Sequence, residues 1–572
     1  MLDVVIRGGT VVDGTGAPSV PADVGVRDGR IVAVGAVDEP AARTVDADGL
    51  VVAPGFVDLH THYDAQLLWD PTASPSPLHG VTTVFGGNCG FTLAPVNDDD
   101  ADYLARLMAR VEGIPLEALR QGVPWDWRSF GEYLDRVDAV EPAINCGFLV
   151  GHSALRRAVL GEAAGSAATD AEIEAMAALL DGALAAGGMG LSTSRSPTHN
   201  DGDGAPVPSR GATDDELRAL ARVVSRHPGT QLEAIVAGCL GAFTDDEVTL
   251  LAELSTLADR PLNWNVLGVA AGGGHDHQLA ASDAAALAGG RVVALTMPQT
   301  MQIRLSFLSG FVLDGLPGWA AVLGKPVPER LRLLADPEVR RQLAAGADSE
   351  AAGMLRGLAR WEHLLVAEAF TDATRRWEGH RIGEVAAAEG KEPFDALLDL
   401  VIADGLRTGL RPQFPAESPE TWAARRDVWL DPRTVVGASD AGAHLDLFCA
   451  VAYSTFLVGP AVRDHGLLTM EQAVRELTEV PARLYGLDGR GRIAEGWIAD
   501  LVLFDPTRVG PGPERTLDDL PGGASRLTAF AEGVEAVLVA GTQIVDAHGF
   551  TGARPGRVLR SGRDTSTVGV RQ

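Results

Sequence analysis

The chain has 572 residues, 46% of them hydrophobic, and a mean hydropathy near zero, so a soluble globular protein with one large domain and accessory layers is expected. A formal charge of −29 argues against nucleic acid or an anionic membrane as partner, and no apolar run reaches the length of a bilayer span. Four scattered cysteines (Cys89, Cys146, Cys239, Cys449) make no disulfide framework and the N-terminus lacks a basic secretion segment, so a cytoplasmic protein is expected.

Residues 1 to about 50 alternate short apolar runs with Gly and Asp turns, the pattern of β-hairpins. The run from Val51 to Leu59 is apolar and β-branched and reads as one buried strand, closed by His60-Thr61-His62. Alternation along a strand puts His60 and His62 on one face, together with Asp58 and Asp64. Two imidazoles so placed can begin a divalent-metal site, although the pair alone fits satisfied core histidines equally well. Val81 to Phe85 reads as the next strand, and a Gly-Gly-Asn turn leads from it to Cys89, whose thiolate would suit zinc. Inert burial describes Cys146, Cys239 and Cys449 better.

Ala143 to Val150 is a third strand, and helix-like stretches over 170–186 and 213–226 open on capping-type residues. Alternation of this kind from residue 53 to 487 implies an α/β protein with parallel strands and crossovers, most simply a (β/α)8 TIM barrel. Residues 300 to about 430 break the pattern with charged, amphipathic helix, read as an insertion or extended loop over the barrel mouth. Val435-Val436 restores it, and Asp440 follows at the end of that strand, where the catalytic residues of barrels belong. Residues 488–572 return to short strands, and the polar segment 560–572 is expected to be disordered or to lie on a neighbouring subunit.

Pro54-Gly55-Phe56-Val57-Asp58-Leu59-His60-Thr61-His62 resembles the metal-binding signature of the amidohydrolase superfamily. The stretches Gly87-Asn88-Cys89-Gly90-Phe91, Gly151-His152-Ser153 and Ser194-Arg195-Ser196-Pro197-Thr198-His199 resemble its N-acyl-D-amino-acid deacylase (D-aminoacylase) branch, and the likeness runs through nearly the whole chain. It implies that residues 1–52 and 488–572 pair as a small β-sandwich domain beside the barrel of 53–487. It also implies that Asp440 is metal ligand and general base/acid, and that Cys89 ligates or bridges metal. A metal-bridging carbamylated lysine is not expected, because the two lysines, Lys325 and Lys391, lie in polar context away from strand ends.

The chain departs from the branch at two later strands. Thr230 to Ala234 and Pro261 to Leu267 lack the two usual histidines, and the lysine after the second is also missing. One zinc per subunit is therefore expected, held by His60, His62, Cys89 and Asp440, with manganese or iron as alternatives. Glu233 is either a replacement ligand or a substrate contact, and Asn263 and Asn265 share a face that would line the pocket. His152 is either a pocket residue or structural. Among Arg156, Arg195 and Arg304, Arg195 is the first choice for pairing with a substrate carboxylate, with His199 following in the same motif. His275 and His277 form a second pair, in a Gly-rich loop, and read as solvated.

The expected reaction is cleavage of a C–N amide bond of a small acylated amino acid or related amide by metal-activated water. Cyclic amide, ester or C–C cleavage, and a lapsed binding homologue, are the alternatives. The expected partner is a small molecule, and homo-oligomerisation stays open.

Overall fold

The computed structural model describes residues 1–269, 273–300, 302–310, 312–413 and 417–570. Strands β1 (Leu2–Val11), β2 (Val20–Arg27), β3 (Arg30–Gly35) and β4 (Ala41–Asp46) lead into the apolar run before the paired histidines. That run divides at Gly55. β5 (Val51–Pro54) pairs with β1, whereas β6 (Phe56–Asp58) runs parallel to β7 (Val81–Gly86) in another sheet. The single strand expected over 51–59 is thus two. The reason is steric: a Cβ on Gly55 would lie 2.2 Å from the Thr82 side chain, so only glycine lets the chain cross between sheets at this point.

The parallel strands continue through β8 (Asn145–Phe148), β9 (Val150–Gly151), β10 (Gly190–Ser194), β11 (Gln231–Ile235), β12 (Leu262–Leu267) and β13 (Val292–Thr296). A separate antiparallel pair, β14 (Leu365–Glu368) with β15 (Gly409–Arg411), intervenes before β16 (Thr434–Val436). Parallel pairing joins β6-β7-β8 and, separately, β9-β10-β11-β12-β13-β16. Beyond the strands, a parallel bridge links Thr61 with Ala441, and the His62 N–H donates to the Ala441 carbonyl at 2.7 Å. The segments that follow the first and last parallel strands therefore lie side by side. Connecting helices start on side-chain caps: Thr169 for Asp170–Ala185, Thr213 for Asp214–Val224 and Thr244 for Asp245–Ala258, each accepting from the backbone N–H three residues on.

The two chain ends meet in a nine-stranded mixed sheet. β17 (Leu501–Phe504) pairs antiparallel with β5, while β18 (Gly510–Leu520) and β19 (Ala524–Glu532) form their own hairpin. β20 (Val534–Val539), β21 (Thr542–Asp546) and β22 (Gly549–Phe550) complete the order β22-β21-β20-β17-β5-β1-β2-β3, with β4 on β1. Between 320 and 429 the chain is mostly helical, built around contacts among Trp319, Trp361 and Phe394. It returns to the parallel strands' C-terminal side, where Leu305 donates to the Leu410 carbonyl.

The polar tail is ordered through residue 570, and Arg571 and Gln572 lie outside the described residues. Gly229 donates to the Thr567 hydroxyl and Ser566 to the Gly486 carbonyl, so the tail is tied to this chain's own segments before β11 and after the helix Glu479–Leu484. Among the described residues, no helix is long and apolar enough to cross a membrane.

Candidate metal centre

The ends of β6, β7 and β16 bring His60, His62, Cys89 and Asp440 together. His60, His62 and Cys89 offer ligand atoms all within 4.8 Å of one another. His60 Nε2 lies 3.5 Å from Cys89 Sγ, and Asp440 Oδ1 lies 3.5 Å from His60 Nε2 and 3.0 Å from His62 Nε2. His60 and His62 are fully buried, whereas the Asp440 side chain keeps 25% of its surface, so the carboxylate is the member of the set open to a substrate.

Local backbone explains the convergence. Cys89, Asp440 and His444 have φ of 56°, 58° and 48°, a left-handed conformation that side chains other than glycine adopt only where their surroundings hold them. The Cys89 turn is held on three sides. Its own N–H donates to Glu233 Oε2 at 3.0 Å, the Asn88 amide donates to the Thr61 and Phe85 carbonyls, and Ser192 Oγ donates to the Gly87 carbonyl while accepting from the Gly90 N–H. Around Asp440, a Cβ on Gly442 would lie 2.7 Å from the His62 backbone, which forces the Asp440 loop against the histidines.

Glu112 is the site residue that the sequence reading missed. It caps the helix Ala101–Val111, is buried, and sets Oε1 3.3 Å from His62 Nδ1. A lone glutamate after an amphipathic helix carries no signal of such a role. His444 joins it, accepting the site from the other side: Nε2 is 3.9 Å from Asp440 Oδ2, and its backbone N–H donates to the Glu112 carbonyl. Asn265, expected in the pocket, reaches His60 Nε2 at 3.2 Å through Nδ2.

Electrostatics follow from this crowding. Burial, with His62 close by, drives His60 down to about 3. Burial also opposes charge on His62, but Glu112 and Asp440 outweigh it and raise His62 above the usual range. Asp440 is pulled down by its bond to His62 and by His444 despite burial. Burial, reinforced by Glu233, pushes the Cys89 thiol well up, and burial lifts Glu233 itself to about 8.

A divalent cation fits this donor set. Two imidazoles, a thiol and a carboxylate converge, the combination that suits zinc. His60 Nδ1, Glu233 Oε1 and Asn265 Oδ1 are buried polar atoms with no partner within the protein, which buried groups rarely are.

The remaining expected residues divide. His199 belongs to the surroundings of the centre: it donates or accepts at Ser194 Oγ at 2.7 Å, packs on Phe91, and shares the field of His62 and His444. His152 does not open into the cluster; its ring nitrogens are taken by Thr193 Oγ1 at 2.9 Å and Glu216 Oε1 at 2.8 Å. Arg195 is not held free for a carboxylate, because Asp214 and the Ala212 carbonyl engage it. Arg156 pairs with Glu216, and Arg304 with Glu368 and Thr516. Asn263 donates through Nδ2 to the Leu232 carbonyl and the Tyr485 hydroxyl. Glu233 is shown as an anchor of the Cys89 backbone. His275 and His277 stand in the first turn of a helix, His275–Leu287, and not in the loop expected for them. Lys391 sits between Glu389 and Asp399.

Comparison with known proteins gives the family. A family model described as "Amidohydrolase family" matches residues 43–545. D-aminoacylase of Alcaligenes xylosoxydans xylosoxydans is 30% identical over 97% of this chain and 97% of its own length, and N-acyl-D-aspartate deacylase of the same organism is 31% identical over 98% and 95%. Among solved structures, N-acyl-D-glutamate deacylase of Bordetella bronchiseptica, complexed with zinc and a phosphonate inhibitor, is 27% identical with a TM-score of 0.64, covering 98% of this chain and 100% of that one.

Proposed function

The chain belongs to the amidohydrolase family, in its D-aminoacylase-like branch, and from that premise we propose that it hydrolyses the C–N bond of a small N-acylated amine or amino acid at the centre described above. The observation that carries the reading is the convergence of His60, His62, Cys89 and Asp440 on one buried point, with only Asp440 open to the outside. The parallel strands are read as one (β/α)8 barrel over 53–487, and the nine-stranded sheet with its hairpin as the sandwich-like domain of 1–52 and 488–572.

One zinc ion per subunit is the proposed cofactor, held by His60, His62, Cys89 and Asp440; bound there, a divalent ion supplies a Lewis acid that activates water and polarises the acyl carbonyl. The protein's own part follows from its geometry. His60 and His62 are walled from water, with Asn265 Nδ2 3.2 Å from His60 Nε2 and Glu112 Oε1 3.3 Å from His62 Nδ1. Asp440, hydrogen-bonded to His62 and exposed on its other side, is placed to take a proton from the attacking water and return it to the leaving nitrogen. His444, beside Asp440 Oδ2, steadies that carboxylate. Glu233 keeps Cys89 in its left-handed conformation. The proposed partner is a small-molecule substrate.

Metal content per subunit, measured on protein purified without added metal, tests the reading alongside turnover of N-acyl amides. One equivalent, lost together with turnover in His60→Ala, is the expected result. Full turnover in metal-stripped protein overturns it.

A further inference from the structure

The two histidines of the centre are supported unequally. Both turn Nε2 toward the other donors: His60 Nε2 lies 3.5 Å from Cys89 Sγ and from Asp440 Oδ1, and His62 Nε2 lies 3.0 Å from the same Oδ1. An ion held there takes Nε2, so each neutral ring carries its proton on Nδ1. Which nitrogen a histidine offers to a metal is set by the bond that its other nitrogen makes. His60 Nδ1 has no partner within the protein. His62 Nδ1 has a carboxylate beside it, Glu112 Oε1 at 3.3 Å, although the contact is looser than an aligned hydrogen bond. Glu112 is seated from two sides. It follows the helix Ala101–Val111, donates its N–H to the Met108 carbonyl, and accepts at its own carbonyl from the His444 N–H. Gly113 has a φ of 64°, and a Cβ there would stand 3.2 Å from His444 Cα, so this turn packs closely on the loop that carries Asp440.

We propose that Glu112 is a positioning residue of the metal centre: as acceptor for the His62 Nδ1–H, it orients the ring and leaves the Nε2 lone pair turned toward the ion. The inference rests on the metal-dependent reading above and adds a residue that acts through His62. Burial supports it. Glu112 is 3% exposed, and a buried carboxylate is costly unless something pairs with it. Among the described residues its ion-pair partner is His62 alone, whereas the structural glutamate Glu216 has both His152 and Arg156. The position supports it too. Asp440 meets Nε2 and Glu112 meets Nδ1, so the ring lies between two carboxylates, one at each nitrogen. Because the Glu112 backbone is bonded to the Asp440 loop through His444, a single turn sets the distance between that loop and the His62 ring. This role needs an acceptor at the Glu112 position and does not need its charge. A carboxylate that only balanced the charge of an ion would need the charge and no particular direction.

The test titrates zinc into the chelator-stripped full-length protein against a competing indicator, and records the absorption spectrum of the cobalt-substituted form, which reports coordination geometry. Glu112→Ala is expected to weaken zinc binding about 10–100-fold, the usual cost of losing a carboxylate behind a ligating histidine, and to alter the cobalt spectrum. Glu112→Gln keeps an acceptor of the same reach without the charge, and should restore the wild-type cobalt spectrum and bring zinc affinity to within about tenfold of wild type. The unfolding midpoints of the stripped proteins should coincide. Wild-type affinity and spectrum in Glu112→Ala overturn the positioning role. Equal weakening in both variants with an unchanged cobalt spectrum overturns it as well, and makes Glu112 a charge-balancing group. Glu112→Met, which fills the same space without an acceptor, decides the matter if the alanine variant does not fold. Absence of zinc binding by the wild-type protein overturns the metal-dependent reading itself, so the two failures are told apart.

Discussion

His62 and His152 are both fully buried and both face a buried glutamate, Glu112 and Glu216 respectively, yet they sit in opposite kinds of surroundings. Around His152 each polar group meets a partner. Its two nitrogens are taken by Thr193 and Glu216, and Arg156 joins Glu216 to the Ala164 and Ser166 carbonyls. Around His62 the groups face one another with acceptors left over: His60 Nδ1, Glu233 Oε1, Asn265 Oδ1, Asp58 Oδ2 and Asp64 Oδ1 lack partners within the protein. A buried polar network that closes on itself is built to hold the fold; one with converging, unmatched acceptors is built to receive something. Burial and residue type do not separate the two regions, and the hydrogen-bond accounting does.

The comparison breaks most sharply if the two regions are altered in parallel. Asp440→Asn should lower kcat by about 10²–10⁴-fold, the range for loss of a positioned acid/base, while most metal stays bound and the melting temperature barely moves. Wild-type turnover in this variant would remove Asp440 from the proton path. Glu216→Ala should show the reverse pattern. It strands the buried Arg156 charge and is expected to cost about 3–5 kcal/mol of stability, read by denaturant unfolding, with metal stoichiometry unchanged in the folded fraction. A metal-deficient but stable Glu216→Ala protein would mean that the closed network serves the centre after all.

The pH dependence of metal uptake sharpens the same contrast. Without metal, His62 is held protonated by Glu112 and Asp440, and burial keeps Cys89 in its thiol form. Both protons must leave before these atoms can ligate. Zinc affinity should therefore rise with pH through the neutral range, by roughly ten- to a hundredfold per pH unit for one to two protons released. Both shifts are upward, so competition by protons persists above pH 7 and fades only as pH climbs toward the raised values. A flat affinity between pH 6.5 and 8.5 would show that His62 and Cys89 are not the atoms that bind.

Much of the centre was legible because it follows the chain. His60 and His62 are two apart, Cys89 closes the next strand's turn, and Asp440 follows the short apolar run of the last parallel strand. Local pattern fails where a role is set by what the fold brings from afar. Glu112 arrives from a helix cap to meet His62, and nothing around it in sequence marks it. Glu233 reads in sequence as a ligand or a substrate contact, and its bond to the Cys89 N–H, 144 residues away in the chain, adds a role that no local pattern announces while leaving Oε1 unpartnered. The run 51–59 misled in a different way, since two strands of unlike sheets share one apolar stretch and only the contact between Gly55 and Thr82 divides them.

Arg195 offers the smallest effect and the finest distinction. Its sequence setting suggested a carboxylate clamp, and a guanidinium beside a strand end would be well suited to one. The structure gives it to Asp214 at 2.6 Å and to the Ala212 carbonyl at 2.7 Å, a partly exposed pair at the start of the helix Asp214–Val224. Such pairs contribute about 0–1 kcal/mol, because solvent screens the charges and ordering two side chains offsets the attraction. Arg195→Ala should therefore shift stability by no more than that, and should leave KM for N-acyl amino acids within about twofold of wild type. If KM instead rose about tenfold with kcat unchanged, Arg195 would have to leave Asp214 when substrate arrives, since loss of uniform binding has that signature. The closed appearance of this side of the molecule would then describe only its ligand-free state, and the contrast between the two buried histidines would hold for His152 but not for the arginine next to it.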